Sequence, residues 1–343
     1  MTLDRVAAGR AAPRVGLVLG AGGTLGLAWT IGALGAVQER IGRPLYAVEA
    51  MVGTSAGSVV AAALRCGITP EALIAHQRGQ GPAGLSTSDE IASASGHLPS
   101  LPRFRMGSPR LLATVAQRPH LVHPRVAASA LIPQGRTEHG ALHRFMHELV
   151  ADAAGHPARS HLLHGGSGHP WPQHSTWIVS VDYGSGRRVV FGRDGAPPAS
   201  LPDAVVASCS IPGWHAPKTI GERRYVDGGV RSVASADLLH AAQLDEVYVL
   251  APMAGHEVDR PRSAAGRTER FIRQMLARSL DREVHKVEAT GTRVIVLTPG
   301  PEDLAAIGAN LMDARRRRAV LETSLRTAAS HLAASSARGE RAA

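Results

Sequence analysis

Apolar and polar positions alternate between two periods along this chain, and the alternation predicts its elements. Residues 14–20 (RVGLVLG) form a short apolar run of the kind found in buried strands, and the run ends in a glycine-rich turn. A helix built of small and apolar residues follows over about 27–40. A second apolar run at 47–52 leads through Gly53-Thr54-Ser55-Ala56-Gly57 into a helical stretch at 58–66. Strand, helix, strand, helix implies parallel strands joined by helical crossovers. Over about 79–173 Pro, Gly, Ser and His become frequent, and only 110–117 and 140–151 read as helices. Regular patterning returns with strands at 176–182 and 187–192, joined by a hairpin turn at Gly184-Ser185-Gly186. A short helix at 202–208 and a second hairpin over 218–226, turning at Gly221-Glu222, come next. A helix at 234–243, a strand at 246–251, a long helix at 267–288, a strand at 293–298 and a closing helix at 313–334 complete the pattern. No internal repeat is visible.

Composition narrows the classes. The chain has 343 residues, 44% of them hydrophobic and 19% charged, which describes an ordinary globular protein able to bury a sizeable core. Aromatic residues make up only 3%, so base stacking on nucleic acid has little to work with. The formal charge of +10 is carried almost wholly by arginine and suits an anionic surface as well as plain solubility. Two cysteines, Cys66 and Cys209, form neither a disulfide framework nor a metal-ligand spacing. No signal-like segment opens the chain, and no run approaches the ~20 apolar residues of a spanning helix. These features predict a cytoplasmic protein, with peripheral contact at the inner face of an anionic membrane as an extension.

The chemistry concentrates in three places. Ser55, flanked by Gly53 and Gly57 where a strand meets a helix, has the form of a nucleophile elbow. The helix behind it aims its positive end at the site. The earlier turn, Gly20-Ala21-Gly22-Gly23-Thr24-Leu25-Gly26, lacks the third glycine of a dinucleotide fingerprint, because Leu25 occupies that offset. Bare backbone amides there would instead stabilise an oxyanion, with Gly22 and Gly23 as candidates. Asp227 ends a predicted strand and precedes Gly228 and Gly229, which permit the close approach of another group. Asp-Gly and Gly-Gly are equally hairpin-turn signals. His240, His256, His285 and His331, the late histidines where an α/β-hydrolase would carry its base, show no distinguishing context.

The glycine turn, then GTSAG, then ASCSIPGW and RRYVDGGV resemble, in that order, the patatin-like phospholipases over about 14–251, with a divergent middle. The resemblance implies a three-layer α/β/α sandwich with a mainly parallel sheet. It also implies a Ser55–Asp227 dyad without histidine, metal or cofactor, an acyl-enzyme intermediate, and an oxyanion hole at Gly22 and Gly23 supported by Gly20 and Gly26. Lipid acyl esters are the implied substrates, as for a phospholipase A or lysophospholipase. A general carboxylesterase, an acylglycerol lipase and a non-catalytic lipid- or partner-binding protein are the alternatives. Leu25 stands where the family usually carries Arg or Lys.

Four further expectations follow. Residues 14–334 form one domain, with 79–175 a cap or lid-like insertion between disordered tails at 1–13 and 335–343. Leu111, Leu112, Val115, Leu131 and Ile132 are candidate acyl-chain contacts in that insertion. His139, His143 and His147 share a helix face that reads as solvated rather than metal-binding. Phe271, Ile272, Met275, Leu276 and Leu280 form the apolar side of a basic amphipathic helix expected to cover the sheet.

Overall fold

The computed structural model describes residues 12–80, 106–165, 169–255 and 264–342. The expected N-terminal tail and the segment 81–105 at the start of the insertion therefore lie almost wholly outside the described residues, as does His256. In chain order the strands are β1 (Val15–Leu19), β2 (Ala50–Thr54), β3 (Leu163–His164), β4 (Trp171–Pro172), β5 (Ser175–Asp182), β6 (Arg188–Phe191), β7 (Lys218–Ile220), β8 (Arg223–Asp227), β9 (Glu246–Leu250) and β10 (Arg293–Leu297). The α-helices are α1 (Gly23–Ile41), α2 (Ala56–Arg65), α3 (Pro70–Gln77), α4 (Pro109–Gln117), α5 (Pro124–Ser129), α6 (Gly140–Gly155), α7 (Leu201–Ser208), α8 (Ala264–Glu288), α9 (Pro301–Ile307) and α10 (Arg317–Ala342).

Eight strands form one sheet in the order β10-β9-β1-β2-β5-β8-β7, with β6 also paired to β5. The first five are mutually parallel, while β6, β7 and β8 are antiparallel additions. Side chains alternate across the sheet as its period of two requires. Leu17, Leu19, Met51 and Ile178 face the core shared with α1, α2, α7 and α10. Val18, Val52, Val179 and Val249 face α8 and the turn of 3₁₀ helix at Ala236–Ala241. Helices on both faces of a mainly parallel sheet make the three-layer α/β/α sandwich.

One pairing governs the site. Thr54, the last residue of β2, lies opposite Val179 of β5, and the next β5 residue, Ser180, lies opposite Asp227, the last residue of β8. Since β2 runs parallel to β5 and β8 antiparallel, the two strands meet head to head along one edge of β5. The residues that end them are brought together by sheet register alone.

Local differences from the sequence pattern have physical reasons. β2 begins three residues later than the apolar run, because 45–47 close into a 3₁₀ turn after Pro44. The segment expected as a helix at 234–243 forms only the 3₁₀ turn. Helix α10 continues to Ala342, so most of the expected C-terminal tail is helical. Helices α3, α5 and α9 were not anticipated; each is short and starts with proline at its first position, a local signal favourable for helix initiation.

Candidate active site

Ser55 sits between β2 and α2 with φ 54° and ψ −125°, outside the basins that L-residues favour. Such a conformation costs of order 1–3 kcal/mol and persists only when the surroundings over-determine it. They do so here through hydrogen bonds at both ends of the residue. The Ser55 amide donates to Ser208 Oγ at 2.8 Å, and that hydroxyl donates in turn to the Val179 carbonyl at 2.6 Å. The Ser55 carbonyl accepts from the Ser58 amide at 2.8 Å and from Ser58 Oγ at 2.6 Å. The flanking glycines are required by close approach. A Cβ at Gly57 would lie 2.0 Å from the Leu19 carbonyl oxygen, and one at Gly53 would lie 2.6 Å from Ser58 Cα.

The Ser55 side chain is close enough to the Asp227 carboxyl to favour its ionised form. Asp227 is only 4% exposed, and burial pushes its carboxyl up to about 6 against the opposing stabilisation from Ser55 and from the Gly229 amide, which donates to Oδ1 at 2.7 Å. Its own amide donates to the Ser210 carbonyl at 2.9 Å. Gly228 permits the turn after Asp227, since a Cβ there would meet the Val179 carbonyl oxygen at 2.5 Å. Asp-Gly-Gly thus ends a strand at the serine; the β-hairpin turn lies earlier, between β7 and β8.

The glycine turn packs against the same point. Gly20 accepts a bond from the Gly57 amide at 3.1 Å, and the Ala21 amide donates to the Val233 carbonyl at 2.7 Å. Gly23 opens α1 with φ 58°, a left-handed conformation suited to glycine. Among the described residues the amides of Gly22, Gly23 and Thr24 have no hydrogen-bond acceptor, as the first turn of a helix leaves them. Gly26 donates its amide to the Gly22 carbonyl at 2.9 Å. Leu25 is fully buried in the main core, and its amide is taken by the Leu311 carbonyl at 2.9 Å.

Ser55 and Gly23 open onto one cavity with about 880 Å³ of empty space, including the part open to solvent. Its walls are mainly apolar, from Leu27 and Ile31 of α1, Val59 of α2, Leu73 of α3, and Leu142 and Phe145 of α6. Sequence reasoning placed the acyl contacts elsewhere. Leu111 is buried in a separate cluster with Val122, Val126 and Tyr183, against which Leu112 and Val115 pack, while Leu131 and Ile132 are exposed. Apolar character alone does not say which core a side chain joins. Within the insertion, α6 supplies the wall.

None of the late histidines among the described residues lines this cavity; His76, His139 and His215 do. His139 caps α6 rather than sharing the face of His143 and His147; His143 lies 3.2 Å from Asp203. Among the described residues no group of three or more His, Cys, Asp or Glu is placed to hold a metal ion. Ser208 lies in the ASCSIPGW segment and His139 was named, but the bracing of the Ser55 amide by Ser208 and the pairing of His139 with His215 join segments remote in sequence that no local pattern connects.

A strained serine at a strand–helix elbow, beside a buried carboxyl and facing an apolar cavity, is an arrangement that α/β acyl hydrolases use. The family model described as patatin-like phospholipase matches residues 17–81 and 126–240, which include the glycine turn, Ser55 and Asp227. The chain belongs to the patatin-like phospholipase family, and membership indicates a hydrolase acting on lipid acyl substrates. Among solved structures, VipD from Legionella pneumophila is similar at 14% identity, covering 93% of this chain and 67% of that one with a TM-score of 0.35. Comparison with curated protein sequences gives no match. Among the described residues no helix is long and apolar enough to cross a membrane.

Proposed function

We propose that the protein is a serine acyl hydrolase of the phospholipase A or lysophospholipase type, with Ser55 as nucleophile and Asp227 as general base. The observation that carries this reading is a strained elbow serine one register step from a buried carboxyl whose affinity for protons is raised. Ser55 Oγ attacks the acyl carbonyl carbon while its proton passes to Asp227. The carbonyl oxygen becomes an oxyanion held by the Gly22 and Gly23 amides. Collapse breaks the ester bond, and the departing alkoxide takes the proton from Asp227. Water then attacks the acyl-enzyme, again giving a proton to Asp227, and the fatty acid leaves as Ser55 is reprotonated. General base catalysis contributes typically 10²–10⁴-fold, and each oxyanion donor about 10²–10³-fold.

Labelling by a fluorophosphonate tests the assignment. Native protein labels, Ser55→Ala does not, and Asp227→Asn labels far more slowly. Labelling that survives Ser55→Ala sinks the assignment. A screen of lysophospholipid, phospholipid, acylglycerol and simple ester substrates then separates phospholipase from lipase or carboxylesterase.

This reading extends to a cytoplasmic protein that visits an anionic membrane through α8. Leu280 is buried against the sheet as expected and Leu276 in a small cluster with Ala21 and Val233, but Phe271, Ile272 and Met275 are exposed at 65%, 42% and 45%. Ile272 borders a groove shared with Leu311, whose neighbour Met312 is on the wall of the Ser55 cavity. Arg278 and Arg282 are exposed on the same helix, so anionic lipid would be favoured. Vesicle co-sedimentation tests this: binding to anionic vesicles falls with salt and with Phe271→Ser/Met275→Ser. Equal binding to neutral vesicles at all salt concentrations refutes it.

A further inference from the structure

The wall of the Ser55 cavity carries a polar feature that the proposed chemistry leaves unused. His215 is 1% exposed, and neither Nδ1 nor Nε2 has a hydrogen-bond partner. An orphaned buried donor or acceptor costs about 1–3 kcal/mol and calls for an explanation. His139 stacks on it, with ring centroids 3.8 Å apart and planes inclined by 31°. The His139 Nε2 lies 2.9 Å from the Cys209 carbonyl oxygen, which can only accept, so Nε2 carries the proton and that nitrogen is committed.

The backbone that presents His215 is fixed. Its amide donates to the Ile211 carbonyl at 2.9 Å, and the following amide, of Ala216, donates to the Thr137 carbonyl at 3.0 Å. Gly135 packs so tightly here that a Cβ would lie 2.3 Å from the Trp214 carbonyl carbon. The ring itself is less constrained, since turning it sacrifices no hydrogen bond and either nitrogen can be offered to a ligand. The loop begins at the site, because Ser208, just before Cys209, braces the Ser55 amide.

Both rings are neutral at ordinary pH. Burial, then repulsion from His139, holds His215 down at about 2, and burial holds His139 at about 4. A neutral imidazole offers one N–H and one lone pair. A hydroxyl group can use either one, a carbonyl oxygen uses the N–H, and an alkyl chain uses neither.

We propose that His215, with His139 stacked against it, is a specificity-determining residue that selects acyl groups carrying a hydroxyl or carbonyl oxygen along the chain. Plain alkyl groups occupy the same apolar cavity but leave the imidazole orphaned. The turnover consequence rests on the hydrolase reading of Ser55; the binding consequence does not.

The test uses octanoic acid and its positional hydroxy isomers as ligands in calorimetry, and their p-nitrophenyl esters as substrates. Native protein is compared with His215→Phe, which keeps a ring for stacking, and with His215→Asn, which keeps a donor and an acceptor. The expected result is that at least one hydroxy isomer binds native protein about tenfold more tightly than octanoate, as one neutral hydrogen bond gives. Measured against octanoate within each protein, the advantage disappears in His215→Phe and persists in part in His215→Asn. Native protein that prefers no isomer overturns the proposal whether or not the variants fold. So does a preference that survives His215→Phe. Hydroxyl-dependent binding without turnover of any ester supports His215 and sinks the hydrolase reading; turnover without preference does the reverse.

Discussion

Replacing Asp227 by Asn should stabilise the protein at neutral pH while removing its activity. Asp227 titrates at about 6 in the folded chain because it is buried, against a reference of 3.8. A folded pKa above the unfolded one means that the native state holds its proton more tightly between those values. Stability contributed by this group is therefore full below pH 4 and is lost as pH rises toward 6. The shift of about two pH units corresponds to about 3 kcal/mol at pH 7, the cost of keeping an ionised carboxylate under the sheet. Asparagine fills the same volume without the charge. Denaturant unfolding of Asp227→Asn should give a midpoint well above native protein at pH 7, with the gap closing near pH 4. On the proposed mechanism the same ionisation governs turnover, since only the carboxylate can accept the Ser55 proton. With native protein, kcat/KM should be flat above pH 7 and about tenfold lower at pH 5, following one ionisation near 6. A stability gap independent of pH, or undiminished turnover at pH 5, refutes the reasoning.

Other perturbations read the same site. Ser208→Ala strands the Ser55 amide and the Val179 carbonyl, so unfolding should be easier by about 2–4 kcal/mol and kcat should fall more than KM changes; an unchanged kcat would show that the elbow holds itself. Gly57→Ala drives a Cβ to 2.0 Å from the Leu19 carbonyl oxygen, and circular dichroism should show loss of cooperative folding or a large drop in Tm. Leu25→Lys puts an unpaired charge into the main core, so it should destabilise by several kcal/mol rather than raise the rate. A more active Leu25→Lys variant of unchanged Tm would mean that the side chain reaches the turn after all.

What could be read from sequence was what is local. The β1 turn, the elbow and the Asp-Gly-Gly segment each announce a backbone geometry through residues within a few positions of one another. The alternation of strand and helix from β1 to α2 correctly implies parallel strands. The wall of the cavity was not legible, because it is assembled from α1, α2, α3 and α6, and nothing in Leu111 or Leu142 says which core each will join. Helix α8 shows the same limit: its apolar side was visible, but not that Leu276 and Leu280 would be covered while Phe271 and Met275 stayed exposed. The stacking of His139 on His215 depends on two loops meeting, which no spacing encodes.

The head-to-head meeting of β2 and β8 brings a serine and an aspartate together at this site. Here β8 runs the opposite way and stops where β2 stops, because both occupy the same edge of β5. The last residue of one therefore lies a single register step from the turn that ends the other. That arrangement buries the carboxyl and strains the serine at the same point, and both effects disfavour the fold locally. The large cores on either side of the sheet offset them. Relief of either, by Asp227→Asn or by any residue that relaxes Ser55, should thus raise stability in proportion to the chemistry it removes.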